Sequence, residues 1–515
     1  MKNFIEEIIE TSNTENLRFR FPPEPNGFLH IGHAKALHIN FSLAEKSKAP
    51  CNLRMDDTNP LAESEELEKS IINDVEWLGY NYDGEVKRAS NYLPDFKKFA
   101  VDLIKKGKAY IDTSSSEEIA SKKGTTNKPG KNSNNRNLSC EDNLRLWVKV
   151  CEGRLKGVLR AKIDMSHPNL LMRDPVIFRY IDGFGMYPTY DFAHPLSDYI
   201  EKITHSLCTL EFVEHRPLYN WVLNSLELKG RLPVQIEFSR LNLSHTIMSK
   251  RNILKLIEND VVESFEDPRL PTISGLRNRG FTPSSIRKFC EKVGVTKFNG
   301  VTEYALLEHF LREELNKTAP RIMAVTKPLL VKITNLHSPL FVEVENNPEN
   351  KDEGKRTLLL SNKIWIESDD FKKEPEKKFF RLSVGSSVRL KGGAIITCES
   401  FEVNEKGEIA HINCKLADNN TKVKSTIHWV DYTESIPVEI REYEHLFNSV
   451  SPGKETGDFM DDINPESLKV FNGFCEEAAT KINGNVQFLR KGYYFKVNNS
   501  NKITFNKTVS LKSSF

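Results

Sequence analysis

The sequence predicts a multidomain protein in which an α/β half precedes a β-rich half. The chain has 515 residues, more than one compact domain usually contains. Strand-like and helix-like segments alternate near the N-terminus, a pattern typical of a parallel βαβ sheet. Beyond about residue 325, short β-rich runs recur between turns and predict all-β modules.

Composition excludes several classes of protein. Hydrophobic residues make up 38% of the chain, enough for ordinary cores, and no apolar run approaches the ~20 residues that span a bilayer. Residues 1–10 carry acids through a short apolar stretch, which predicts an amphipathic helix and no signal or transit peptide. The net charge of +2 means that a nucleic-acid partner would need local basic patches.

The cysteine pattern points to a reducing setting. Eight cysteines are scattered along the chain and form no CxxC pair. Such spacing predicts neither a zinc site nor a disulfide framework. We therefore expect a cytoplasmic protein whose own side chains hold no metal.

The N-terminal segments predict a site at the edge of a parallel sheet. The predicted elements are a strand over 17–21, a rigid turn over 22–27, a helix over 33–46, a strand over 51–56 and a helix over 65–78 that ends at Gly79. Proline fixes φ in the turn, and Asn26-Gly27 permits positive φ. Because ligands lie beyond the carboxyl ends of parallel strands, the turn and Asp56 occupy candidate binding positions.

The remaining elements are read from composition and periodicity. Residues 112–137 are polar and predict an exposed arm or loop. Further predictions are strands over 159–164 and 175–179, a strand or strand end over 189–192, helices over 253–261 and 283–293, and β runs over 328–333, 363–366, 386–390, 394–397 and 426–430.

The tetrapeptide His30-Ile31-Gly32-His33 follows the turn and opens the predicted helix. Two histidines at i and i+3 at a helix N-terminus can face one ligand, and that end of a helix favours phosphate. A glycine between them allows close approach of a nucleobase. Donors aimed at charge developing on a phosphate contribute about 3–4 kcal/mol each in other enzymes. An isolated H-x-G-H would more often cap a helix, but the surrounding residues 19–35 favour a nucleotide site.

Met248-Ser249-Lys250 lies in a loop ahead of another helix. A mobile lysine there would neutralise the β- and γ-phosphates of a nucleotide. Most lysines are merely solvated, so the significance of this one depends on its pairing with the His30 element. Residue 247, three positions before Lys250, is isoleucine, so Lys250 is the candidate for the phosphate role.

With these two elements, the chain resembles the glutaminyl-tRNA synthetases, class I enzymes with "HIGH" and "KMSKS" motifs, in their bacterial form. The resemblance runs from about Phe19 to the C-terminus. It rests on the long stretches 51–60, 73–80, 159–165, 203–212, 237–243, 267–280 and 437–441. It implies a Rossmann-like catalytic domain with an acceptor-end insertion, a helical segment and two C-terminal β-barrels, the first closed by the C-terminal segment.

The implied domain limits are as follows. The catalytic domain would span 1–90 and 190–240, the acceptor-stem insertion 91–189, the helical segment with the Met248-Ser249-Lys250 loop 241–317, the proximal barrel 318–365 and 447–515, and the distal barrel 366–446.

The resemblance also implies a two-step reaction. Glutamine would attack the α-phosphorus of ATP with Mg²⁺ assisting, and the terminal adenosine hydroxyl of tRNA(Gln) would attack the resulting glutaminyl-adenylate. No general base from the protein is implied, and tRNA is required even for the first step. We expect a monomer with no membrane partner.

Residue roles are carried over by position. Catalytic roles fall to His30, His33 and Lys250; ATP contacts to Glu24, Pro25, Asn26, His30, Ile31, Gly32, His33, Arg240, Leu241, Met248, Ser249 and Lys250; glutamine contacts to Arg20, Asp56, Tyr190, His194, Cys208 and Gln235; and anticodon contacts to Arg321, Arg381, Arg389, Gln487 and Arg490.

Selection of glutamine over glutamate is a physical problem, because the two differ only by NH₂ against O⁻. A pocket must offer an acceptor to the amide and leave a carboxylate unsatisfied. The Tyr190 hydroxyl is that acceptor if its own hydrogen is donated elsewhere. Cys208 stands where related glutamyl enzymes of archaeal and eukaryotic type carry an arginine.

Three departures and three alternatives remain. Phe380 and Lys391 stand where the family often has Lys and Arg, and Thr126 replaces a leucine that wedges the first acceptor base pair, so that wedge is in question. The alternatives are a glutamyl-tRNA synthetase, including a nondiscriminating one, a small-molecule nucleotidyltransferase that shares H-x-G-H, and a non-catalytic tRNA-binding paralogue.

Overall fold

The structure is a computed structural model that describes residues 2–12, 15–497 and 502–512. The chain divides into two compact units. The first consists of Met1–Asn242 with Cys290–Val301, and the second of Leu243–Phe289 with Thr302–Phe515. Within the described ranges, no helix has the length and apolar character needed to cross a membrane.

The helices follow the chain in this order: α1 Phe4–Thr11, α2 Ile31–Ser47, α3 Glu65–Trp77, α4 Leu93–Lys105, α5 Ser116–Lys122, α6 Cys140–Cys151, α7 Tyr190–Ile200, α8 Arg216–Leu226, α9 Lys250–Glu258, α10 Ile273–Arg279, α11 Pro283–Val293 and α12 Tyr304–Thr318.

The strands of the first 242 residues and the short ones that follow are β1 Phe19–Phe21, β2 Cys51–Met55, β3 Lys87–Arg88, β4 Ala109–Asp112, β5 Val158–Ala161, β6 Val176–Ile181, β7 Gly185–Pro188, β8 His205–Thr209, β9 Val234–Phe238, β10 Asn242–Leu243 and β11 Val301–Thr302.

The strands of the C-terminal region are β12 Arg321–Ile322, β13 Ala324–Val325, β14 Pro328–Ile333, β15 Leu340–Glu345, β16 Lys355–Leu360, β17 Lys363–Glu367, β18 Ser387–Leu390, β19 Ile395–Val403, β20 Ile409–Leu416, β21 Thr426–Ile427, β22 Val430–Asp431, β23 Ile436–Tyr443, β24 Leu468–Cys475, β25 Asn485–Phe488, β26 Gly492–Val497 and β27 Thr504–Ser510.

The predicted N-terminal helix is confirmed as α1. Asn3 caps it. The Asn3 side chain accepts a hydrogen bond from the backbone N–H of Glu6, and the Glu6 carboxylate accepts one from the backbone N–H of Asn3. Ile5 and Ile9 lie one turn apart and are buried, as an amphipathic helix requires.

A parallel βαβ arrangement is confirmed in the first unit. β1 pairs in parallel with β2, and β2 with β3. β8 pairs in parallel with β9. The backbone N–H of Thr204, just before β8, donates to the carbonyl of Arg18, just before β1, at 3.0 Å, so the two groups of strands lie side by side. The carboxyl ends of β1, β2 and β8 therefore meet at one edge.

The region between β4 and α7 differs from its prediction in two places. The polar arm over 112–137 contains a helix, α5, because Ser115 and Glu118 form a capping box. The predicted strand or strand end over 189–192 is wrong, since β7 ends at Pro188 and Thr189 is the N-cap of α7. Aromatic residues there mimic strand composition, and the continuous burial of residues 192–198 shows no period that would separate a helix from a strand. The four strands β4 to β7 form an antiparallel sheet.

Two seven-stranded sheets fill the C-terminal part of the second unit. One has the order β12-β25-β26-β27-β23-β24-β13 and the other β21-β18-β19-β20-β14-β17-β22. In the first sheet, the end strands belong to the single extended segment 321–325. In the second, they belong to the single segment 426–431. Each sheet thus closes on itself through one short segment, which leaves no free edge.

This pairing corrects the predicted barrel limits. The limit between residues 365 and 366 falls inside β17, and β14 and β17 pair with each other and with strands of the second barrel. The first barrel therefore comprises 321–325 and 436–510, and the second lies within 328–431. The C-terminal segment supplies most strands of the first barrel, as predicted. The β run over 426–430 is broken into β21 and β22, because Trp429 turns into the core of the second barrel.

Glu367 links the two barrels within the second unit. Its carboxylate accepts from the backbone N–H groups of Thr326 at 2.7 Å and Lys327 at 3.2 Å, and it lies 3.4 Å from the Lys491 ammonium. Burial alone would raise the pKa of Glu367. The His428 ring, whose Nε2 lies 3.6 Å from the carboxylate, the charge of Lys491 and the Thr326 N–H together lower the pKa further than burial raises it, to about 2.

We predict that this carboxylate makes the second unit acid-sensitive. Because the folded pKa lies below the ordinary 4.5, its contribution is complete above pH ~4.5 and is lost as pH falls toward 2; the shift corresponds to about 3 kcal/mol. Urea unfolding of the β-rich signal at several pH values should show this loss. Glu367→Gln should flatten that pH dependence, whereas Glu343→Gln, an exposed carboxylate on β15, should leave it unchanged. Identical pH profiles for Glu367→Gln and the unsubstituted protein would contradict the assignment.

Candidate active site

The turn between β1 and α2 is braced against the end of β2. The backbone N–H of Asp56 donates to the carbonyl of Pro23 at 2.9 Å, and that of Ser64 to the carbonyl of Pro25 at 3.4 Å. The Asn26 side chain donates to the Glu24 carboxylate. The two segments predicted to flank a ligand therefore lie against each other, as expected for neighbouring strand ends.

His30 and His33 form a reciprocal cap at the start of α2. His30 is the N-cap, and its Nδ1 accepts from the backbone N–H of Gly32 at 3.1 Å. The backbone N–H of His30 donates to Nδ1 of His33 at 3.2 Å, and the two ring centroids are 3.9 Å apart. The helix begins two residues earlier than predicted because these rings satisfy its first N–H groups.

This geometry fixes the tautomer of both rings. Each Nδ1 accepts a hydrogen bond, so each neutral imidazole carries its hydrogen on Nε2. Burial lowers the pKa of His30 well below its ordinary value, an effect that the neighbouring His33 reinforces, and burial lowers the pKa of His33 to about 4. The helix N-terminus therefore presents two fixed, neutral Nε2–H donors at pH 7.

Asp56 has one engaged and one unengaged carboxylate oxygen. Its Oδ1 accepts from Nε of Arg54 at 2.8 Å. Its Oδ2 is buried and has no hydrogen-bond partner among the described residues. A buried carboxylate oxygen without a donor is costly, so it marks a place where a ligand donor, such as an ammonium, would bind.

Asp198, on α7, is the centre of a fully buried ion cluster. Its Oδ1 accepts from Nε of Arg20 at 3.1 Å and from Nη1 of Arg54 at 2.9 Å. Its Oδ2 accepts from the hydroxyls of Ser206 at 2.6 Å and Tyr219 at 3.0 Å. Burial would raise the pKa of Asp198, but Arg20 and its other cationic neighbours hold it well below its ordinary value. The cluster joins β1, β2, β8, α7 and α8.

Arg20 uses its donors on several elements. Nη1 donates to the carbonyl of Leu207 at 2.9 Å, and Nη2 donates to the Ser206 hydroxyl at 2.8 Å and approaches the sulfur of Cys208 at 3.6 Å. Burial opposes ionisation of Cys208, but the Arg20 charge lowers the pKa of its thiol overall. The predicted glutamine residues Arg20 and Cys208 thus lie together at the end of β8.

His194 lies between Arg20 and Asp198. Burial lowers the pKa of His194, whereas Asp198, 3.1 Å from Nε2, raises it to about 9 on balance. The same Nε2 is 2.8 Å from Nη2 of Arg20. The raised pKa leaves His194 protonated at pH 7, so Asp198 compensates this ring as well as Arg20 and Arg54.

Tyr190 and Gln235 border the cluster. The Tyr190 ring stacks on His194, with centroids 5.1 Å apart, and lies 5.5 Å from Phe212. Its hydroxyl makes no hydrogen bond to another described residue, so no described residue of the protein fixes the direction of its hydrogen. Gln235 Nε2 donates to the Phe212 carbonyl at 3.1 Å and to Glu237 at 3.0 Å.

The other predicted ATP residues fall in both units. In the first unit, Arg240 is exposed and pairs with Glu211 at 2.7 Å, while Leu241 is buried. In the second unit, Ser249 is the N-cap of α9 and Lys250 is its exposed first residue. Ile247 is buried in an apolar cluster, an environment that suits an aliphatic side chain.

Two predicted anticodon residues belong to the first barrel. Arg321, on β12, is buried and donates to the carbonyls of Ala319 at 2.5 Å and Asn316 at 2.6 Å, so it caps the end of α12. Gln487 pairs with it across β12 and β25. Sequence reasoning did not foresee that the guanidinium of Arg321 would be engaged by backbone carbonyls.

The remaining predicted anticodon residues are also held by protein groups. Arg490 pairs with Asp370 through two hydrogen bonds of 2.8 Å and has φ of +68°, which is unusual for a non-glycine residue. Arg381 lies 3.2 Å from the same carboxylate. Arg389 donates to the Gly393 carbonyl at 2.7 Å. Asp370 therefore orients two of the five predicted anticodon residues.

An exposed basic and aromatic surface adjoins Arg389. The Lys424 ammonium lies 5.1 Å from the centroid of the Phe380 ring, which is exposed. The Ser425 hydroxyl donates to the Phe380 carbonyl at 2.6 Å. Planar rings beside cations suit unstacked nucleic-acid bases. Phe380, which stands where the family often has Lys, is therefore still compatible with base stacking.

Sequence reasoning missed the residues that hold the cluster together. These are Arg54, Asp198, Ser206, Tyr219 and Glu201, which accepts from Arg54 at 3.3 Å and from Asn52 at 2.7 Å. One signal was available: His194 and Asp198 are four apart on one helix, and Ser206 alternates with Cys208 on one strand. A buried strand arginine such as Arg54 also signals a partner carboxylate, because an unpaired charge is rarely buried.

Comparison with known proteins finds one family over nearly the whole chain. Residues 16–317 match the catalytic domain of the class I tRNA synthetases (E and Q), and residues 319–417 and 426–497 match two anticodon-binding domains of the same synthetases. The chain is similar to the glutamine–tRNA ligase of Clostridium perfringens, with 45% identity over 100% of this chain and 98% of that protein. The glutamine–tRNA ligases of Actinobacillus succinogenes and Haemophilus influenzae are 45% and 44% identical, each over 100% of this chain and 97% of their own length.

Among solved structures, the chain is similar to a glutamate tRNA ligase from Elizabethkingia meningosepticum. The TM-score is 0.46 and the identity 18%, over 58% of this chain and 70% of that one.

We predict that both rings of the His30 element keep hydrogen on Nε2 and remain neutral from pH 8 to 5. Because their folded pKa values lie below the ordinary 6.5, their contribution to stability falls as pH drops from ~6.5 toward 4. Long-range ¹⁵N–¹H NMR of imidazole-labelled protein measures tautomer and charge, with the exposed His337 as internal reference. A hydrogen on Nδ1 of either ring would contradict the reciprocal cap.

Proposed function

Since the chain belongs to the class I tRNA synthetases of the glutamate and glutamine type, and the relatives it matches over their full length are glutamine–tRNA ligases, we infer that it attaches L-glutamine to the 3′ end of tRNA(Gln). The ligation is driven by ATP, proceeds through glutaminyl-adenylate and releases AMP and pyrophosphate. Two observations support the inference at the residue level: the fixed Nε2–H donors of His30 and His33, and the buried Asp56 oxygen that has no partner among the described residues.

We propose that ATP binds at the start of α2. The Nε2–H groups of His30 and His33 would donate to phosphate oxygens, and Gly32 allows close approach. Glu24, Asn26, Arg240 and Leu241 would contact the nucleotide. Met248, Ser249 and Lys250 would bring a cation to the β- and γ-phosphates. Fixed neutral donors stabilise the charge that develops as pyrophosphate leaves, with no reorganisation at the moment of reaction.

ATP would arrive as its Mg²⁺ complex. Among the described residues, no group of three or more His, Cys, Asp or Glu is arranged to hold a metal ion. The triphosphate and water are therefore proposed as the principal ligands of the ion, which then belongs to the substrate.

The amino acid would bind beside the buried ion cluster. The unengaged Oδ2 of Asp56 suits the α-ammonium group. Tyr190, Cys208, Gln235, His194 and Arg20 would line the pocket for the side chain. We propose that the Tyr190 hydroxyl accepts from the glutamine amide; this role requires a hydrogen-bond acceptor other than the described residues for its own hydrogen, because none of them takes it.

The tRNA would be bound at two separate regions. We propose that the insertion over 91–189 holds the acceptor end and that the two C-terminal barrels hold the anticodon loop. Arg321, Arg381, Arg389, Gln487 and Arg490 are the proposed base-reading side chains. Since Asp370 already holds Arg381 and Arg490, base reading there would use preoriented guanidinium groups.

We also propose a cytoplasmic monomer. Each of the eight cysteines is free, which is compatible with a reducing compartment.

Exchange of radiolabelled pyrophosphate into ATP tests the function. We expect exchange with glutamine only when tRNA(Gln) is present, and little with glutamate, because the tRNA end completes the first-step site. Exchange driven by glutamate instead would move the protein to the glutamyl-specific members of the family. Exchange with glutamine in the absence of tRNA would refute the tRNA requirement alone.

We predict that Lys250→Ala lowers turnover by about 10²–10³-fold, the range for loss of one donor to a developing anion. Affinity for tRNA(Gln), measured by filter binding, should remain unchanged. The control is Lys255→Ala, which removes an exposed lysine from the same helix and should retain normal turnover. Comparable turnover of Lys250→Ala and Lys255→Ala would remove Lys250 from the phosphate role.

A further inference from the structure

Two cysteines of the second barrel lie directly opposite each other on neighbouring strands. Cys398 on β19 and Cys414 on β20 are partners in the antiparallel register, and both side chains lie in the apolar core of that barrel. Both are free thiols. No step of the proposed ligation involves either thiol, so a role for this pair is independent of the proposed function.

The pair occupies a position of the ladder where no hydrogen bond joins the two residues. The backbone N–H of Cys398 donates to the carbonyl of Ser386 at 3.0 Å, and its carbonyl accepts from Gly385 at 2.8 Å, so both groups point away from β20. The carbonyl of Cys414 accepts from Thr334 at 2.8 Å, away from β19. At such positions the Cα atoms of an antiparallel pair lie ~4.5 Å apart. A disulfide needs Cα atoms roughly 4.4–6.8 Å apart, so the backbone already has the required spacing.

The two thiols interact with each other. A hydrogen bond from the Cys414 thiol lowers the pKa of Cys398, against the effect of burial. The same hydrogen bond and burial together raise the pKa of Cys414. Because the thiolate is the nucleophile in sulfur chemistry, Cys398 is the residue of the pair that reacts first.

Strand β19 is irregular immediately beside the pair. The register advances two residues on β19, from Cys398 to Ser400, but only one on β20. Glu399 is therefore the extra residue of a β-bulge, which interrupts the ladder. Local opening at this bulge breaks fewer hydrogen bonds than opening of a regular ladder. A small oxidant can thus reach the buried sulfurs without unfolding of the barrel.

We propose that Cys398 and Cys414 are a redox modification site, at which hydrogen peroxide or another small hydroperoxide forms a reversible disulfide between β19 and β20. In the first step, the Cys398 sulfur attacks one peroxide oxygen, the O–O bond breaks, and the thiol proton leaves with the other oxygen as water. In the second, the Cys414 sulfur attacks the resulting sulfenic acid; the S–S bond forms, the S–O bond breaks, and a second water carries away the Cys414 proton. The two thiols lose two electrons, which the peroxide gains.

The disulfide would stabilise the second barrel. It would close a loop of about 15 residues within the β19–β20 hairpin, which restricts the unfolded chain. We expect the midpoint of thermal unfolding to rise by about 5–10 °C on oxidation. In a reducing compartment the resting state is the dithiol, so the disulfide would form only when peroxide is present.

Simple packing of two small side chains predicts a different behaviour. A buried free cysteine commonly acts as a small apolar residue, and a buried structural thiol is generally inert. Cys475, on β24 of the first barrel, is equally buried but faces Ala324 and Ile436 instead of a cysteine. Packing alone therefore predicts that the pair and Cys475 respond alike to an oxidant.

The test applies hydrogen peroxide to the reduced full chain under native conditions, followed by alkylation in urea and peptide mass mapping. We expect a peptide that links Cys398 to Cys414, which dithiothreitol separates, whereas Cys475 is recovered alkylated. Recovery of both residues as alkylated thiols, or of Cys398 as sulfinic acid without the link, would overturn the proposal. Oxidation of Cys475 as fast as that of the pair would also overturn it, because unfolding would then explain the reaction.

Two variants separate the pair from its neighbours. Cys414→Ala removes the resolving thiol, so we expect peroxide to leave a Cys398 sulfenic acid that dimedone traps, and no rise in the unfolding midpoint. Cys475→Ala, the matched control, should keep both the disulfide and the rise. A rise that persists in Cys414→Ala would refute the assignment. The peptide map of the unsubstituted chain decides the question by itself if Cys414→Ala does not fold.

Discussion

The buried carboxylate of Asp198 is the charge on which the first unit depends. It compensates two buried arginines from neighbouring strands, Arg20 and Arg54, and for Arg20 it is the only carboxylate contact among the described residues; an uncompensated guanidinium in the interior is strongly destabilising. Ser206 and Tyr219 hold the carboxylate in turn, so that β1, β2, β8, α7 and α8 meet at one point. The same cluster fixes Asp56 through Arg54. The same ion cluster therefore stabilises the sheet and positions the carboxylate of Asp56 at the strand ends.

Sequence alone predicted the secondary-structure elements that depend on interactions between residues close together in the chain. The capping of α1, the parallel strands and the helix behind the turn were all predicted, since caps, turns and periodicity act over a few residues. At Tyr190 the prediction was wrong, because Tyr and Phe occur in strands as well as in helices, so composition alone did not separate the two. The barrel limits were wrong because strand pairing joins segments far apart in sequence, such as β14 and β20.

Individual site residues were predicted by resemblance, whereas their partners were not. The positions of Arg20, Asp56 and Cys208 follow from motif matching, but the charge balance around them needs Asp198 and Glu201, which belong to no short motif. The same holds in the barrels. Asp370 and Glu367 orient the cations nearby, and a sequence shows only that acids and bases are present. Electrostatic compensation depends on which charged groups lie close together in the folded protein, so it can be identified only from the three-dimensional structure.

The closure of each barrel through one short segment has a consequence for synthesis of the chain on the ribosome. The segment 321–325 emerges early, but its partner strands begin at residue 436 and end at residue 510. At ~5–20 residues per second, it waits on the order of 10 s for them. The second barrel, contained within 328–431, has all its strands in that interval. We therefore expect the second barrel to fold first, while the first barrel still lacks most of its strands. Premature termination near the C-terminus would leave the second barrel folded and the first barrel unclosed.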